Sequence, residues 1–485
     1  MTTHSRPTPP SVRQDADFIF HELTRSICPV CKLVIDAQVI LRNNKVYMRK
    51  RCPEHGWSEG LMSADAEMYV TAAAFNKPGT MPLRYSTDLK DGCPLDCGLC
   101  PEHKQHTCLA LIEVNSGCNL NCPVCFADAG QGFSLTLEEV ERMLDRLLEL
   151  EGEPEVVQFS GGEPTIHPQI LDMVRAAKAR GIPNVMINTN GIRIARDERF
   201  LAELEELRPT IYLQFDGLER ETYRKIRGED LLDVKLRCLE RLARIDLDVA
   251  LVAAIERGIN EHEVGALVEF GINHPAARGI VFQPVTHTGR HLPFNPLERM
   301  TIPDVLHGIV QQTGGLFRRE DFVPVPCCFP TCQVNTYVYV DGSQVIPLPR
   351  VLPVDRYLDY ITNRTLPKVP SLPDIQRALE GLWSASAVAG SAKTASQFSC
   401  ACGVSLDLGT DLSHAKKHVF QIAIKDFMDA YTFSVKQVMK CCVAVLVPDG
   451  RLIPFCAYNS VGYREQVRAQ LARRAEEANH DRYEP

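Results

Sequence analysis

The sequence contains no apolar run approaching 18 residues, and its first residues, MTTHSRPTPP, lack an apolar signal core. Neither a membrane-spanning helix nor a secretory leader is therefore expected, and a cytoplasmic location is. Positive charge is not in excess either. The chain carries 53 Lys and Arg against 61 Asp and Glu, a net charge of −8, so nucleic acid is not an expected partner. Without a secretory route, disulfides are disfavoured. What the chain does hold is 19 cysteines in 485 residues, a hydrophobic share of 45% and a charged share of 24%. These proportions describe a folded globular chain long enough for two or three domains.

The cysteines are clustered, as metal ligands are. Cys28, Cys31 and Cys52 form one group, and Cys93, Cys97, Cys100 and Cys108 a second. Cys118, Cys122 and Cys125 form a third, and eight more lie between Cys327 and Cys456. Cys238 stands alone inside the helical pattern LLDVKLRCLERLARI and reads as a small buried apolar residue.

After the third group the chain alternates regularly. Strand candidates LALIEVNS, EVVQFSGG, NVMINTNG, TIYLQFDG, DVALVAAIE and RGIVFQPV enclose five helical patterns. The first of these, SLTLEEVERMLDRLLEL, has Ser134 or Thr136 as its cap. Six strands alternating with five helices predict a parallel sheet, closed or partial as a β/α barrel over residues 109–285. Chemistry in such folds gathers where the strands end. Here those ends carry Cys118, Cys122 and Cys125, then Gly161, Gly162 and Glu163, then Asn188 and Asn190, then Gln214 and Asp216.

The loop GCNLNCPVCFA lacks a fourth cysteine. Three thiolates can hold three irons of a [4Fe–4S] cluster and leave the fourth iron open, as a catalytic site requires. With Val124 before Cys125 and Phe126 after it, CNLNCPVC resembles the C-x3-C-x2-C motif of the radical SAM superfamily. SGGEP resembles its GGE motif, and INTNG and LQFDG its later strand-end contacts. That resemblance implies Cys118, Cys122 and Cys125 as cluster ligands. It also implies Gly161, Gly162, Glu163, Asn188, Asn190, Gln214 and Asp216 as contacts of S-adenosylmethionine, with Glu163 on its amino group. The implied reaction is reductive cleavage to a 5′-deoxyadenosyl radical, which functionalises unactivated carbon. A zinc knuckle beside an unrelated sheet would leave the GGE unexplained.

The flanks narrow the expectation. Cys28, Cys31, Cys52 and His55 have zinc-ribbon spacing around AQVILRNNKVYMRK, for Zn or a mononuclear Fe. Cys93, Cys97, Cys100 and Cys108 are expected to close an auxiliary [4Fe–4S] cluster, with a second zinc site as the alternative. Cys328, Cys332, Cys442 and Cys456 are the choice for another, on the reasoning that adjacent Cys pairs cannot both face one cluster. Cys327, Cys400, Cys402 and Cys441 stay open.

As a whole the chain resembles the radical SAM family of the hydroxymethylpterin methylase and the tetraether lipid synthase. The expected architecture is an α/β partial (β/α)6 barrel over 109–300. An N-terminal ribbon-like module (1–80) and an iron–sulfur segment (81–108) precede it, and a Cys-rich C-terminal domain (301–485) follows. The expected function is carbon–carbon bond formation, either methylation of a pterin-like heterocycle or coupling of lipid chains. The partners are a small-molecule or lipid substrate and an electron donor such as ferredoxin or flavodoxin, with peripheral membrane contact if the substrate is lipid. An electron carrier or cluster scaffold without chemistry of its own is the alternative, but such a protein needs no cofactor cradle. Trp383, Phe420, Phe427, Tyr431 and Phe433 either wall a lipid passage or pack as core, and the helical spacing of Phe420, Phe427 and Tyr431 favours core. A cavity under about 300 Å³ beside the three cysteines would exclude the lipid.

Overall fold

The computed structural model describes residues 16–130, 132–342, 344–350 and 418–480. Cys400, Cys402 and Trp383 lie outside the described residues.

Four antiparallel strands, β1 (Ile19–Ile27), β2 (Val34–Arg42), β3 (Lys45–Cys52) and β4 (Gly56–Ser63), make a small sheet in sequence order. Six strands of the larger sheet follow as the alternation predicts: β5 (Leu109–Asn115), β6 (Val156–Gly161), β7 (Asn184–Thr189), β8 (Thr210–Gln214), β9 (Val249–Ile255) and β10 (Ala277–Pro284). They pair in parallel, each with the next. β5 is buried along almost its whole length, as expected of a strand covered on both faces. The helix Leu137–Glu151 shows why the alternation was readable. Thr136 caps it, accepting from Glu139 N while the Glu139 carboxylate accepts from Thr136 N. Val140, Met143, Leu144, Leu147 and Leu150 form its buried stripe. Cys238 is fully buried, as expected.

The C-terminal part does not stand apart from this sheet. β11 (Val323–Pro324), β12 (Gln333–Asp341), β13 (Gln344–Pro347), β14 (Val419–Lys425), β15 (Val443–Leu446) and β16 (Leu452–Pro454) all join it. β14 adds in parallel to β10 at one edge, and β15 adds in parallel to β5 at the other. Eight parallel strands therefore run in the order β14-β10-β9-β8-β7-β6-β5-β15, and the sheet crosses the boundary expected at residue 300.

The reading of Phe420, Phe427 and Tyr431 as one helical face is corrected. Residues 419–425, VFQIAIK, alternate with period two and form β14, where β-branched side chains suit a pleated strand. Phe420 packs beneath the helix Val264–Asn273, against Gly271, and Phe433 is fully buried.

Candidate functional site

The strand ends converge on a cavity of about 260 Å³ that reaches Cys118, Cys122 and Cys125. Leu120 N donates to Cys118 Sγ at 3.4 Å and Ala129 N to Cys125 Sγ at 3.3 Å. The loop's carbonyls are held from outside. Arg227 donates to Val124 O at 3.0 Å, Arg290 N to Cys125 O at 3.1 Å and Arg464 to Phe126 O at 2.7 Å. Arg468 donates to Ala127 O at 2.7 Å and Asp128 O at 3.0 Å, and Arg290 to Ala129 O at 2.7 Å. All six carbonyls from Val124 to Ala129 thus have donors, while two loop amides face sulfur. Burial pushes the Cys118 thiol up to about 11, with Glu163, Cys122 and Cys125 adding to it. A cation must draw the Cys118 and Cys122 sulfurs, both raised by burial, into thiolate form. Three sulfurs on one cavity wall, with amides turned toward them, fit a cluster with an open position.

The two glycines act on the loop rather than only on a ligand. Gly162 N donates to Asn115 O and Glu163 N to Gly117 O, both at 2.8 Å. A Cβ at Gly161 would collide with Asn115 O, and one at Gly162 with Gly117 O. Gly161 also sits at φ +126°, where L side chains are strained. The glycines let the end of β6 press against the base of the cysteine loop.

Glu163, 2% exposed, has four protein donors. Its Oε1 accepts from Thr165 N at 3.1 Å, Thr165 Oγ1 at 2.5 Å and Thr189 Oγ1 at 2.7 Å, and its Oε2 from Asn190 N at 2.7 Å. It locks the end of β7 to the GGE turn and keeps Oε2 with room for a further donor. Asn188 bonds Ser160 at 3.2 Å, and Asn190 reaches Asn119 in the cysteine loop at 2.7 Å. Asn188, Asn190 and Gln214 line the cavity.

Asp216 does not, and its expected role as a cofactor contact is corrected. Its carboxylate, fully buried, is taken by Arg227 through two bonds of 2.7 and 2.6 Å and by Ala254 N at 3.0 Å. Through Arg227 it braces the cysteine loop instead.

Several residues carry no mark in the sequence. Lys235, fully buried, donates to Asn190 O at 2.6 Å and Gln214 Oε1 at 3.1 Å, and burial pushes its pKa down to about 8. Arg464 ion-pairs with Glu113 at 2.7 Å, and Tyr458 donates to the same carboxylate at 3.0 Å. Phe126, Phe427 and Phe455 form an aromatic corner of the cavity, with centroids 4.7–5.7 Å apart.

The outlying cysteines regroup. In the ribbon, Cys28, Cys31, Cys52 and His55 place one ligand atom each within 4.8 Å of one another. Cys97 lies against Cys93, with Cys100 beside them. Cys108 does not complete that group. Its sulfur lies within 4.8 Å of those of Cys327 and Cys442. The cause is strand register: β15 pairs Val443 with Leu109, so the preceding residues Cys442 and Cys108 come side by side. The set Cys328, Cys332, Cys442 and Cys456 is divided in the same way. Cys442 joins Cys108 and Cys327, with Cys328 in contact, whereas Cys332, Cys441 and Cys456 influence one another electrostatically. Cys441 and Cys442 thus serve different neighbourhoods, whereas Cys327 and Cys328 both contact Cys442, against the expectation that an adjacent pair cannot face one site. His103 Nε2 donates to Cys441 O at 2.9 Å.

Residues 112–271 match the family model of the radical SAM superfamily, and residues 20–64 that of the HMPTM N-terminal zinc ribbon domain. The chain is 34% identical to a 7,8-dihydro-6-hydroxymethylpterin dimethyltransferase of Methanocaldococcus jannaschii, over 93% of this chain and 95% of that enzyme. It belongs to that radical SAM family. A GTP 3′,8-cyclase of Chlorobaculum tepidum is 35% identical over 37% of this chain and 57% of the cyclase. Streptococcus suis SuiB bound to precursor peptide SuiA aligns with a TM-score of 0.36 at 17% identity, over 43% of this chain and 46% of that one. The chain is a radical SAM enzyme of methyltransferase-like type, and the family implies a [4Fe–4S] cluster and S-adenosylmethionine. Among the described residues no helix is long and apolar enough to cross a membrane.

Proposed function

We propose that this enzyme methylates a reduced pterin or a close heterocyclic relative, forming a carbon–carbon bond. The observation that carries the reading is the size and lining of the cavity beside the three cysteines. At about 260 Å³ it falls below the usual range for ligand pockets, and the neighbouring cavity of about 470 Å³, which shares Leu109, Tyr212, Lys425 and Val443 with it, lies at the far end of the strands from the three cysteines. Of the aromatics considered for a lipid passage, Phe427 lines this cavity and Phe420 and Phe433 pack elsewhere. The relationship to the named pterin dimethyltransferase supports the same substrate class.

When bound, the cluster and S-adenosylmethionine supply reductive carbon–sulfur cleavage, yielding a 5′-deoxyadenosyl radical able to remove hydrogen from unactivated carbon. Cys118, Cys122 and Cys125 hold the cluster. Glu163 Oε2 receives the cofactor's ammonium, with Asn188, Asn190 and Gln214 along the same rim. The arginine braces keep the loop in one geometry, and the phenylalanine corner excludes water. Cys93, Cys97 and Cys100 hold one auxiliary cluster and Cys108, Cys327 and Cys442 another, while Cys28, Cys31, Cys52 and His55 hold Zn or a mononuclear Fe. A ferredoxin- or flavodoxin-type donor provides electrons.

The test is anaerobic reconstitution with S-adenosylmethionine and dithionite, followed by mass spectrometry of products from pterin and lipid candidates. A methylated pterin is expected. Coupled lipid with untouched pterin would overturn the substrate class. In a Cys118, Cys122, Cys125 triple Ala variant, 5′-deoxyadenosine formation should vanish while iron at the other cysteines persists.

A further inference from the structure

We propose that Gln158, Tyr212 and Gln283 form the layer of the barrel interior that reads the hydrogen-bonding edge of a flat, neutral heterocycle. This rests on the pterin reading above and names the residues that would enforce it.

Gln158 projects from β6 into the cavity and is only 4% exposed, yet its carboxamide makes no hydrogen bond among the described residues. A carboxamide that faces cavity space without a protein partner takes its bonds from water or from a ligand that displaces the water. Across the interior, Gln283 Nε2 of β10 donates to the Tyr212 hydroxyl of β8 at 3.1 Å. That bond passes over β9, whose cavity-facing residues are only Val252 and Ala254, so the space above it stays open. It also fixes what remains on offer. Gln283 Oε1 is left as an acceptor and the Tyr212 O–H as a donor, while Gln158 presents both. Burial pushes the Tyr212 phenol up to about 12, so it remains protonated at neutral pH.

Two kinds of charge border this layer: a neutralised pair, and the Lys425 ammonium, which acts electrostatically on Tyr212. Glu113 and Arg464 satisfy each other at 2.7 Å, and the Lys425 ammonium lies 5.5 Å from the Phe427 ring centroid. A chain of methylene groups would leave the Gln158 carboxamide, Gln283 Oε1 and the Tyr212 O–H without partners, which a polar site penalises. A fused ring with ring N–H, ring nitrogen and carbonyl along one edge matches them. Tyr212 also borders a second cavity, of about 470 Å³, at the opposite end of the strands. The layer therefore lies at the seam between the cofactor end and the remaining interior, where a substrate must pass or stop.

The test compares Gln158→Met, Tyr212→Phe and Gln283→Met in the reconstituted enzyme, with 7,8-dihydro-6-hydroxymethylpterin as the probe. Pterin binding is followed by its fluorescence, S-adenosylmethionine binding separately, and the cluster by absorption. Each substitution should raise the pterin Kd by about 10-fold, the worth of one hydrogen bond, and leave S-adenosylmethionine affinity within about twofold. Unchanged pterin binding in all three variants would overturn this assignment while leaving the pterin reading intact. Parallel loss of affinity for the pterin and S-adenosylmethionine would also overturn it, by showing a scaffold role. Should Gln158→Met disturb the cluster spectrum, Tyr212→Phe, which removes a single oxygen, decides. A wild-type enzyme that does not hold the pterin would overturn the substrate reading and this layer together.

Discussion

Removing the Glu163 carboxylate should damage both the cofactor site and the fold, in proportions the hydrogen bonds allow to be worked out. In Glu163→Ala, Thr165 N and Asn190 N lose their acceptor inside the protein, where Thr165 is fully buried and Asn190 5% exposed. Each orphaned amide costs about 1–3 kcal/mol, whereas the Thr165 and Thr189 hydroxyls can rotate to other acceptors. The expected loss of stability is roughly 2–6 kcal/mol, a large part of a typical domain's 5–15 kcal/mol. Loss of the ammonium's partner should cost about 2–5 kcal/mol of S-adenosylmethionine affinity as well. Glu163→Gln separates the effects. It keeps an oxygen for the three Oε1 donors but carries no charge, so its unfolding midpoint should fall less than that of the alanine variant while affinity falls comparably. Denaturant unfolding and equilibrium binding on reconstituted protein measure both. A Glu163→Ala enzyme with an unchanged midpoint and unchanged affinity would refute the reasoning.

Cys108→Ser and Cys442→Ser should remove the same iron–sulfur component by Mössbauer spectroscopy, and Cys97→Ser a different one; loss of one common component from Cys97→Ser and Cys108→Ser would refute the regrouping. Burial alone would raise the Glu113 pKa, but Arg464 and Arg468 hold it below the usual glutamate value of 4.5, so its contribution is present above about pH 4.5 and lost as pH falls through the depressed value. The stability advantage of wild type over Glu113→Gln should therefore be constant near neutrality and shrink below about pH 4.5; an advantage independent of pH down to about pH 3 would contradict the ion pair. Chelation of the ribbon metal should release one ion per chain and unfold β1–β4, seen as amide exchange in residues 19–63; unchanged protection after metal loss would show that the ribbon stands without it.

The six core strands and five main helices were legible because each is a local run of apolar residues with one period. Three things were not. The short helix Arg220–Arg227 is mostly polar and leaves little apolar pattern, so Asp216 in LQFDG looked like a ligand contact rather than the partner of an arginine eleven residues on. The segment from Phe420 to Tyr431 carries aromatic spacing that also fits a helix, and only pairing against β10 and β12 decides for a strand over Val419–Lys425. The meeting of Cys108 with Cys327 and Cys442 depends on β15 docking beside β5, a contact between segments more than 300 residues apart that no local pattern encodes. The strand-end residues Gly161, Gly162, Glu163, Asn188, Asn190 and Gln214 were legible in position, but the sequence hid that Glu163 is also a structural joint. Arg464 and Arg468 belong to no motif, so nothing local marks them as ties to the cysteine loop.

That tail has a consequence for the order in which the enzyme is made. Three of the six carbonyl ties on the cysteine loop come from Arg464 and Arg468, close to the last described residue. β5, which leads into the loop, also gains one of its two neighbours only when β15 arrives. Chains leave the ribosome N-terminus first, so Cys118, Cys122 and Cys125 emerge long before the groups that set their geometry. Loading of the cluster into its final geometry must therefore wait for the segment that carries Arg464 and Arg468, and a chain cut short before Arg464 would present the three thiols on a loop that lacks three of its six carbonyl ties.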